Sequence, residues 1–245
     1  MGARRTLDRL ISRAGLGSRA TAEEWIRAGR VRVNGRVVRT AETWVDPARD
    51  VLELDGKPLS SAERLYLALN KPKGFLTSHG DPRERRTVYA LLEELPAWVF
   101  PVGRLDRDTS GLLLLTNDSD FAERIAHPAS GPGKRYRATT RRRMDEAALA
   151  ALAAGPELDD GPTAPEDVAL IGHRGPTSVV ELTLHEGRNR QVRRMFLAVG
   201  APLKELRRVA IGPLALGALA SGRWRHLTRA EVRALGGARP ARGDL

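Results

Sequence analysis

The sequence predicts an α+β protein in two unequal parts. A small basic module of two helices plus a hairpin spans residues 1–60, and a mixed, largely antiparallel sheet with helices spans 61–235. Three observations carry this. Strand-like apolar runs are interleaved with helical ones, without the regular spacing that βαβ units need. The dipeptides Asn34-Gly35 and Asp55-Gly56 supply the positive φ angles of two-residue turns. A chain of 245 residues is one large domain or two unequal ones, and Ser60-Ser61 offers a short linker. Residues 236–245 are Gly, Ala, Arg and Pro with little apolar content, which reads as a flexible tail.

Thr6 is placed to cap a first helix whose inner face is Leu7, Leu10, Ile11 and Ala14, with Gly15 as its stop. Ser18 is placed to cap a second, with Ala22, Trp25 and Ile26 inward and Gly29 at its end. Val31 and Val33 alternate with arginines before the Asn34-Gly35 turn and Val37, and a last strand of the module covers Val51 to Leu54. In the larger part, Leu65 to Leu69 is a strand, Thr87 starts a short helix through Leu92, and Leu112 to Leu115 is a buried strand ended by Asn117-Asp118. Asp145 caps a helix over Ala147 to Ala154, the acidic, Pro-rich 155–167 is a loop, and Val179 to Leu184 is a strand. A helix follows over Arg188 to Val199 with Val192, Met195, Phe196 and Val199 inward, and Thr228 with Glu231 forms a capping box for the last one.

Composition narrows the function. There is no cysteine, so disulfides, thiolate metal sites and thiol nucleophiles are excluded. No apolar run approaches the ~20 residues of a membrane span. The first residues lack the apolar core of a secretory signal, so a cytoplasmic protein is expected. Gly2 and Thr6 fit the loose myristoylation pattern, but a folded helix start follows directly.

The net charge is +11, and 36 of the 41 basic residues are Arg, so genomic bias alone could raise the total. Distribution says more. Residues 1–40 carry ten Arg against three acids, residues 134–143 six basic side chains and no acid, and residues 187–210 seven basic side chains against Glu205. Between them, 41–60 carries five acids and two basic residues. Blocks of one sign separated by an acidic stretch are the footprint of a polyanion, and nucleic acid is the expected partner.

No glycine-rich dinucleotide loop and no phosphate-cradling Gly-x4-Gly-Lys-Ser/Thr occurs, so no nucleotide cofactor is expected. His79, His127, His173, His185 and His226 are scattered without metal-ligand spacing and are expected to be structural or surface residues, leaving no metal site. The most unusual stretch is Gly103 to Gly111, GRLDRDTSG, running into the apolar strand Leu112 to Leu115. Asp108 precedes Thr109, Ser110 and Gly111, where a carboxylate can accept backbone N–H groups. Asp106, between Arg104 and Arg107, has less local work and stands open as a catalytic carboxylate or as a turn or ion-pair residue.

The phrase LDRLISRAGLGSRATAEEWIRAGRVRVNG resembles the S4 RNA-binding domain over about residues 6–58, which implies RNA contact by the exposed Arg19, Arg30, Arg32 and Asn34. GRLDRDTSGLLLLTND, with LNKPKGFLTS, AHP, KRYRA and EGRNRQVRRM, resembles the S4-bearing ribosomal RNA pseudouridine synthase family, in the branch that modifies bacterial ribosomal RNA. The likeness spans about residues 6–227 with its motifs in order.

It implies an isomerase that breaks the N-glycosidic bond of a uridine in RNA, turns the base and rejoins it through carbon, without a cofactor. Asp106 matches the family's catalytic aspartate, Tyr136 its active-site tyrosine, and Arg193 the basic residue that pairs with the catalytic carboxylate. Arg104 matches a residue that fills the stack left by the flipped base, while Arg190 and Arg194 are expected at phosphates. Arg107 and Ser110 stand where many relatives have Tyr and Glu, which bears on target choice.

The expected substrate is large-subunit rather than small-subunit RNA, free or in a ribosome-assembly intermediate, acted on by a monomer. A non-catalytic RNA-binding or assembly protein is the rival reading, against which the intact Asp106, Tyr136 and Arg193 set argues. An S4-bearing methyltransferase is disfavoured by the missing cofactor loop and cysteine.

Overall fold

The computed structural model describes residues 4–59, 63–78, 83, 85–92, 95, 97–127 and 130–236. The linker Ser60-Ser61, His79, Pro128 of the AHP motif and the tail beyond Gly236 lie outside the described residues.

In the N-terminal module, helices Leu7–Arg13 and Arg19–Arg27 pack through Leu7, Ile11, Ala22 and Ile26 against Val31 and Val45. Ser18 caps the second helix as expected, its hydroxyl accepting from the Thr21 amide at 3.0 Å. Thr6 occupies the N-cap position of the first and pairs with Trp44 in a short strand, but its side chain makes no capping hydrogen bond. Asn34 (φ 51°) and Gly35 (φ 77°) turn the hairpin between Val31–Val33 and Arg36–Val37. A second turn at Asp55-Gly56 leads from Leu52–Leu54 into a return strand, Lys57–Pro58, that the sequence pattern did not indicate. The module touches the larger part through the Trp98 amide on the Gly15 carbonyl at 3.1 Å, and through Arg13 paired with Asp120 at 2.6 Å.

Among the described residues, the larger part is built on a nine-stranded sheet. Its main path runs Glu166–Arg174, Thr177–Leu184, Lys134–Thr140, Leu203–Ile211, Ser110–Thr116, Tyr66–Lys71, Trp224–His226. Along that path the neighbours are antiparallel, except that Leu203–Ile211 runs parallel to Ser110–Thr116 at Arg207↔Ser110 and Arg208↔Gly111. This junction needs Gly111: its φ is +105°, and a Cβ there would stand 2.2 Å from the Arg208 carbonyl oxygen.

Leu112 to Leu115 read as one continuous apolar run because both faces of their strand are covered. Leu113 and Leu115 pack with Leu67, Leu69 and Leu105 on one side, and Leu112 and Leu114 with Phe121, Ile125 and Ile211 on the other. Each such fully buried side chain contributes ~1.5–3 kcal/mol relative to exposure. Helix Ser119–Ala126, absent from the sequence reading, starts where Asp118 accepts from the amides of Asp120 and Phe121, both at 3.1 Å. The helix expected from Arg188 begins at Gln191, because Arg190 adopts a left-handed conformation (φ 47°) that ends the preceding turn. The cap at Asp145 and the Thr228–Glu231 box form as expected.

Candidate active site

The segment from Gly103 to Thr109 crosses the edge of the sheet beside the parallel junction, and its shape is set from below. Lys71 ends its strand with no exposed surface, and its ammonium donates to the main-chain carbonyls of Asp106 at 3.0 Å, Thr109 at 2.8 Å and Pro72 at 3.2 Å. The Gly74 amide donates to the Arg107 carbonyl at 2.8 Å. The Thr77 hydroxyl donates to the Leu105 carbonyl at 2.8 Å and accepts from the Leu105 amide at 3.3 Å. The LNKPKGFLTS stretch is therefore the mould in which the aspartate-bearing loop is cast. Burial lowers the Lys71 pKa to about 8, against the opposing pull of Asp106 and Asp108.

Asp106 leaves this mould with its side chain 36% exposed and opens into a cleft shared with Arg104, Tyr136, Glu186, Arg190 and Leu206. Tyr136 reaches the cleft from strand Lys134–Thr140, opposite Arg208 and Leu182, and packs against the apolar clusters on either side. Arg104 is exposed at the rim.

The charges around the aspartates differ from expectation in one respect. Arg193 was expected to pair with Asp106; its direct partner is Asp108, with Nε 3.3 Å from Oδ2 and Nη2 donating to the Asp108 carbonyl at 3.0 Å. Helix Gln191–Ala198 brings Arg193 into direct contact with Asp108, while the Asp106 charge acts on it without a direct bond. Among the described residues, the side chain ion-paired with the Asp106 carboxylate is Arg190, at 3.7 Å, and Arg190 also grips Asp108 with two bonds of 3.2 and 3.1 Å. Burial pulls the Asp108 carboxyl up, but the Arg190 hydrogen bonds and the charges of Arg193 and Arg190 outweigh it and hold it below the usual carboxylate range. Asp108 is thus an ion-pair hub rather than only a turn residue.

Several residues outside the sequence expectations shape the rim. Arg188 reaches back to the carbonyls of Asp160 and Gly161 at 3.2 and 2.8 Å. Asp160 in turn takes a two-pronged pair from Arg194, at 2.9 and 2.8 Å. Gln191, 3% exposed, accepts from the Arg188 amide at 3.1 Å and donates to Glu186, fixing the EGRNRQ turn. Arg190 and Arg194, expected at phosphates, therefore both have carboxylate partners within the chain. An aspartate in an acidic, Pro-rich loop carries no spacing signal toward an arginine on a distant helix. Lys71 and Thr77, by contrast, lay inside a motif already singled out. Among the described residues, no cluster of three or more His, Asp or Glu is placed to hold a metal ion.

In the N-terminal module, Arg19 is bonded to Asp8 at 2.6 Å, and Arg30 to Asp55 at 2.9 and 2.6 Å while lying over Trp25. The Asn34 side chain locks its own turn, donating to Asp50 and accepting from the Val51 amide, both at 2.9 Å. Arg32 points outward from the same hairpin, exposed and with no carboxylate partner among the described residues.

Comparison with known proteins places these features. A family model described as RNA pseudouridylate synthase matches residues 65–198, and one for the S4 domain matches residues 5–51. The chain is 42% identical over 227 residues to an uncharacterised RNA pseudouridine synthase of Aquifex aeolicus (strain VF5), covering 92% of this chain and 91% of that one. It is 40% identical over 231 residues to the ribosomal large subunit pseudouridine synthase B of Bacillus subtilis (strain 168), covering 94% of each. A crystal structure of a pseudouridylate synthase, 33% identical, superposes with a TM-score of 0.68 over 94% of this chain and 99% of that one. The mould around Asp106 and the two matched regions lead to one conclusion: the chain belongs to the RNA pseudouridylate synthase family and carries an S4 domain at its N-terminal end.

Proposed function

We propose that the protein converts one uridine of large-subunit ribosomal RNA to pseudouridine, with Asp106 as the catalytic carboxylate. The observation that carries this reading is convergence: Asp106, Tyr136 and Arg190 come from separate stretches of chain and line one cleft. The similarity to a large-subunit enzyme over 94% of both chains supports the choice of substrate.

The reaction breaks the N1–C1′ bond and forms C5–C1′, with a proton lost from C5 and one gained at N1. Nothing is oxidised and no atom is added, so the chemistry calls for no cofactor. Asp106 is positioned to act on C1′, on C6 or on the 2′ proton, with Lys71 fixing the backbone that carries it and Arg190 ion-paired with its carboxylate. Tyr136 supplies a ring face for the extruded base and a hydroxyl for proton transfer. Arg104 at the rim fills the vacated stack. Arg193 and Asp108 brace the loop from the side.

RNA reaches this cleft held by the module of residues 1–60, with catalysis confined to 61–235, in a cytoplasmic monomer acting on ribosomal RNA or an assembly intermediate. Mapping pseudouridines in large-subunit RNA from cells lacking the gene tests the reading: one uridine should lose its modification, and an unchanged map overturns it.

A further inference from the structure

Along strand Lys134–Thr140, Tyr136 faces the cleft, so Arg135 and Arg137 face the opposite side of the sheet. There they line a concavity of ≈ 300 Å³ with Arg207 and Glu181 from the two flanking strands. Arg137 stands directly opposite Arg207 across the ladder. Like charges directly opposite one another in this way repel and destabilise the pair. Glu181 compensates only Arg137, at 2.7 and 2.6 Å. Arg135 and Arg207 are exposed and have no carboxylate partner among the described residues. On the cleft side Arg190, Arg193 and Arg194 are paired with acids, and of the cleft arginines only Arg104 at the rim, among the described residues, shares the lack of a carboxylate partner. A second concavity of ≈ 400 Å³ shares Arg207 and Gly217 and continues past Asn70 and Ser221 to Ser110, at the foot of the catalytic loop.

We infer that this rear groove, centred on Arg135, Arg137 and Arg207, binds the phosphate backbone of a second segment of the substrate RNA, one that does not enter the catalytic cleft. The inference rests on the RNA-modifying function proposed above. Two unpaired guanidiniums beside a partly neutralised third are short of negative charge, and phosphodiesters supply it without base specificity. A large folded RNA presents backbone on both sides of an enzyme seated in it; a short hairpin does not. That difference makes the surface a discriminator of substrate size.

The test uses the full chain with the double substitution Arg135→Glu and Arg207→Glu, and Arg135→Lys with Arg207→Lys as the conservative pair. Binding is measured to unmodified large-subunit RNA across a salt series, and turnover on a minimal hairpin carrying the target uridine. The Glu pair should weaken binding to the long RNA about tenfold or more and make the log–log salt slope shallower by about 1.4 to 1.8, for two lost contacts. It should leave kcat on the hairpin unchanged, and its Tm should not fall, because replacing the Arg207 guanidinium with a carboxylate relieves the repulsion opposite Arg137. The Lys pair should bind as wild type. Wild-type affinity and slope in the Glu pair overturn the inference. So does loss of binding confined to assembly particles with naked RNA bound normally, which assigns the groove to a protein. Wild-type turnover on the long RNA, naked and in an assembly particle, is measured alongside: if it is absent from both, the proposed function fails, whereas wild-type turnover with unaltered Glu-pair binding sinks the rear groove alone.

Discussion

The Lys71 ammonium donates to the main-chain carbonyl of Asp106 at 3.0 Å, from a side chain with no exposed surface. The bond ties the position of Asp106 to the end of a core strand, so the acid is held by backbone and not by its own exposed carboxylate. The same burial lowers the Lys71 pKa to about 8.

A sign follows for stability. Between about pH 8 and the unfolded value of 10.5, the unfolded chain binds the extra proton, so the contribution of Lys71 to folding free energy rises with pH. Denaturant titrations from pH 7 to 10 should give wild type a steeper upward slope than Lys71→Met, by up to ~1.4 kcal/mol per pH unit. Parallel curves for the two proteins would show that Lys71 titrates as an ordinary lysine.

Arg193 and Asp108 should be energetically coupled, because Arg193 is the more buried partner and has lost its hydration. A double-mutant cycle of Arg193→Ala and Asp108→Ala is expected to give ~1 kcal/mol, at the modest end since Asp108 is half exposed. The cycle of Arg193→Ala with Asp106→Ala should give less than ~0.5 kcal/mol. The reverse order restores the direct Arg193–Asp106 pair.

Arg32 and Asn34 sit on one hairpin and should behave oppositely. Arg32→Ala should make the salt slope of RNA binding shallower by about 0.7 to 0.9 and leave the melting temperature alone. Asn34→Ala should lower stability by ~1 kcal/mol or more, through the left-handed backbone and the two bonds it closes, with RNA affinity per folded molecule unchanged. Equal effects of both on affinity would make Asn34 an RNA contact.

The two helices and the hairpin of the N-terminal module were legible, because Ser18, Asn34-Gly35 and Asp55-Gly56 act locally through a cap and turns. The return strand Lys57–Pro58 was not, nor was the strand pair of Thr6 with Trp44, which rests on tertiary pairing that carries no local signal. Leu112 to Leu115 announced a buried strand for the same reason that any run covered on both faces does. Strand Leu203–Ile211 did not, since Lys204, Glu205, Arg207 and Arg208 interrupt its apolar pattern and Arg208 is nonetheless 3% exposed, its Nε bonded to the Leu112 carbonyl at 2.7 Å. Asp106 and Tyr136 were placed in one cleft through motif resemblance. The assignment of Arg193 to Asp106 missed because Asp106 and Asp108 lie two residues apart, and the path of the loop over Lys71 decides which of them contacts Arg193 directly.

The most direct measurement of the central claim is conversion of unmodified large-subunit RNA by purified wild type and Asp106→Asn, with pseudouridine mapped at nucleotide resolution and RNA affinity determined on the same samples. The amide keeps the size of the side chain and every backbone bond to Lys71 but cannot supply a carboxylate. Wild type should convert one uridine, while Asp106→Asn should bind the RNA within a few-fold of wild type and convert none. Turnover by Asp106→Asn within about tenfold of wild type would contradict the account.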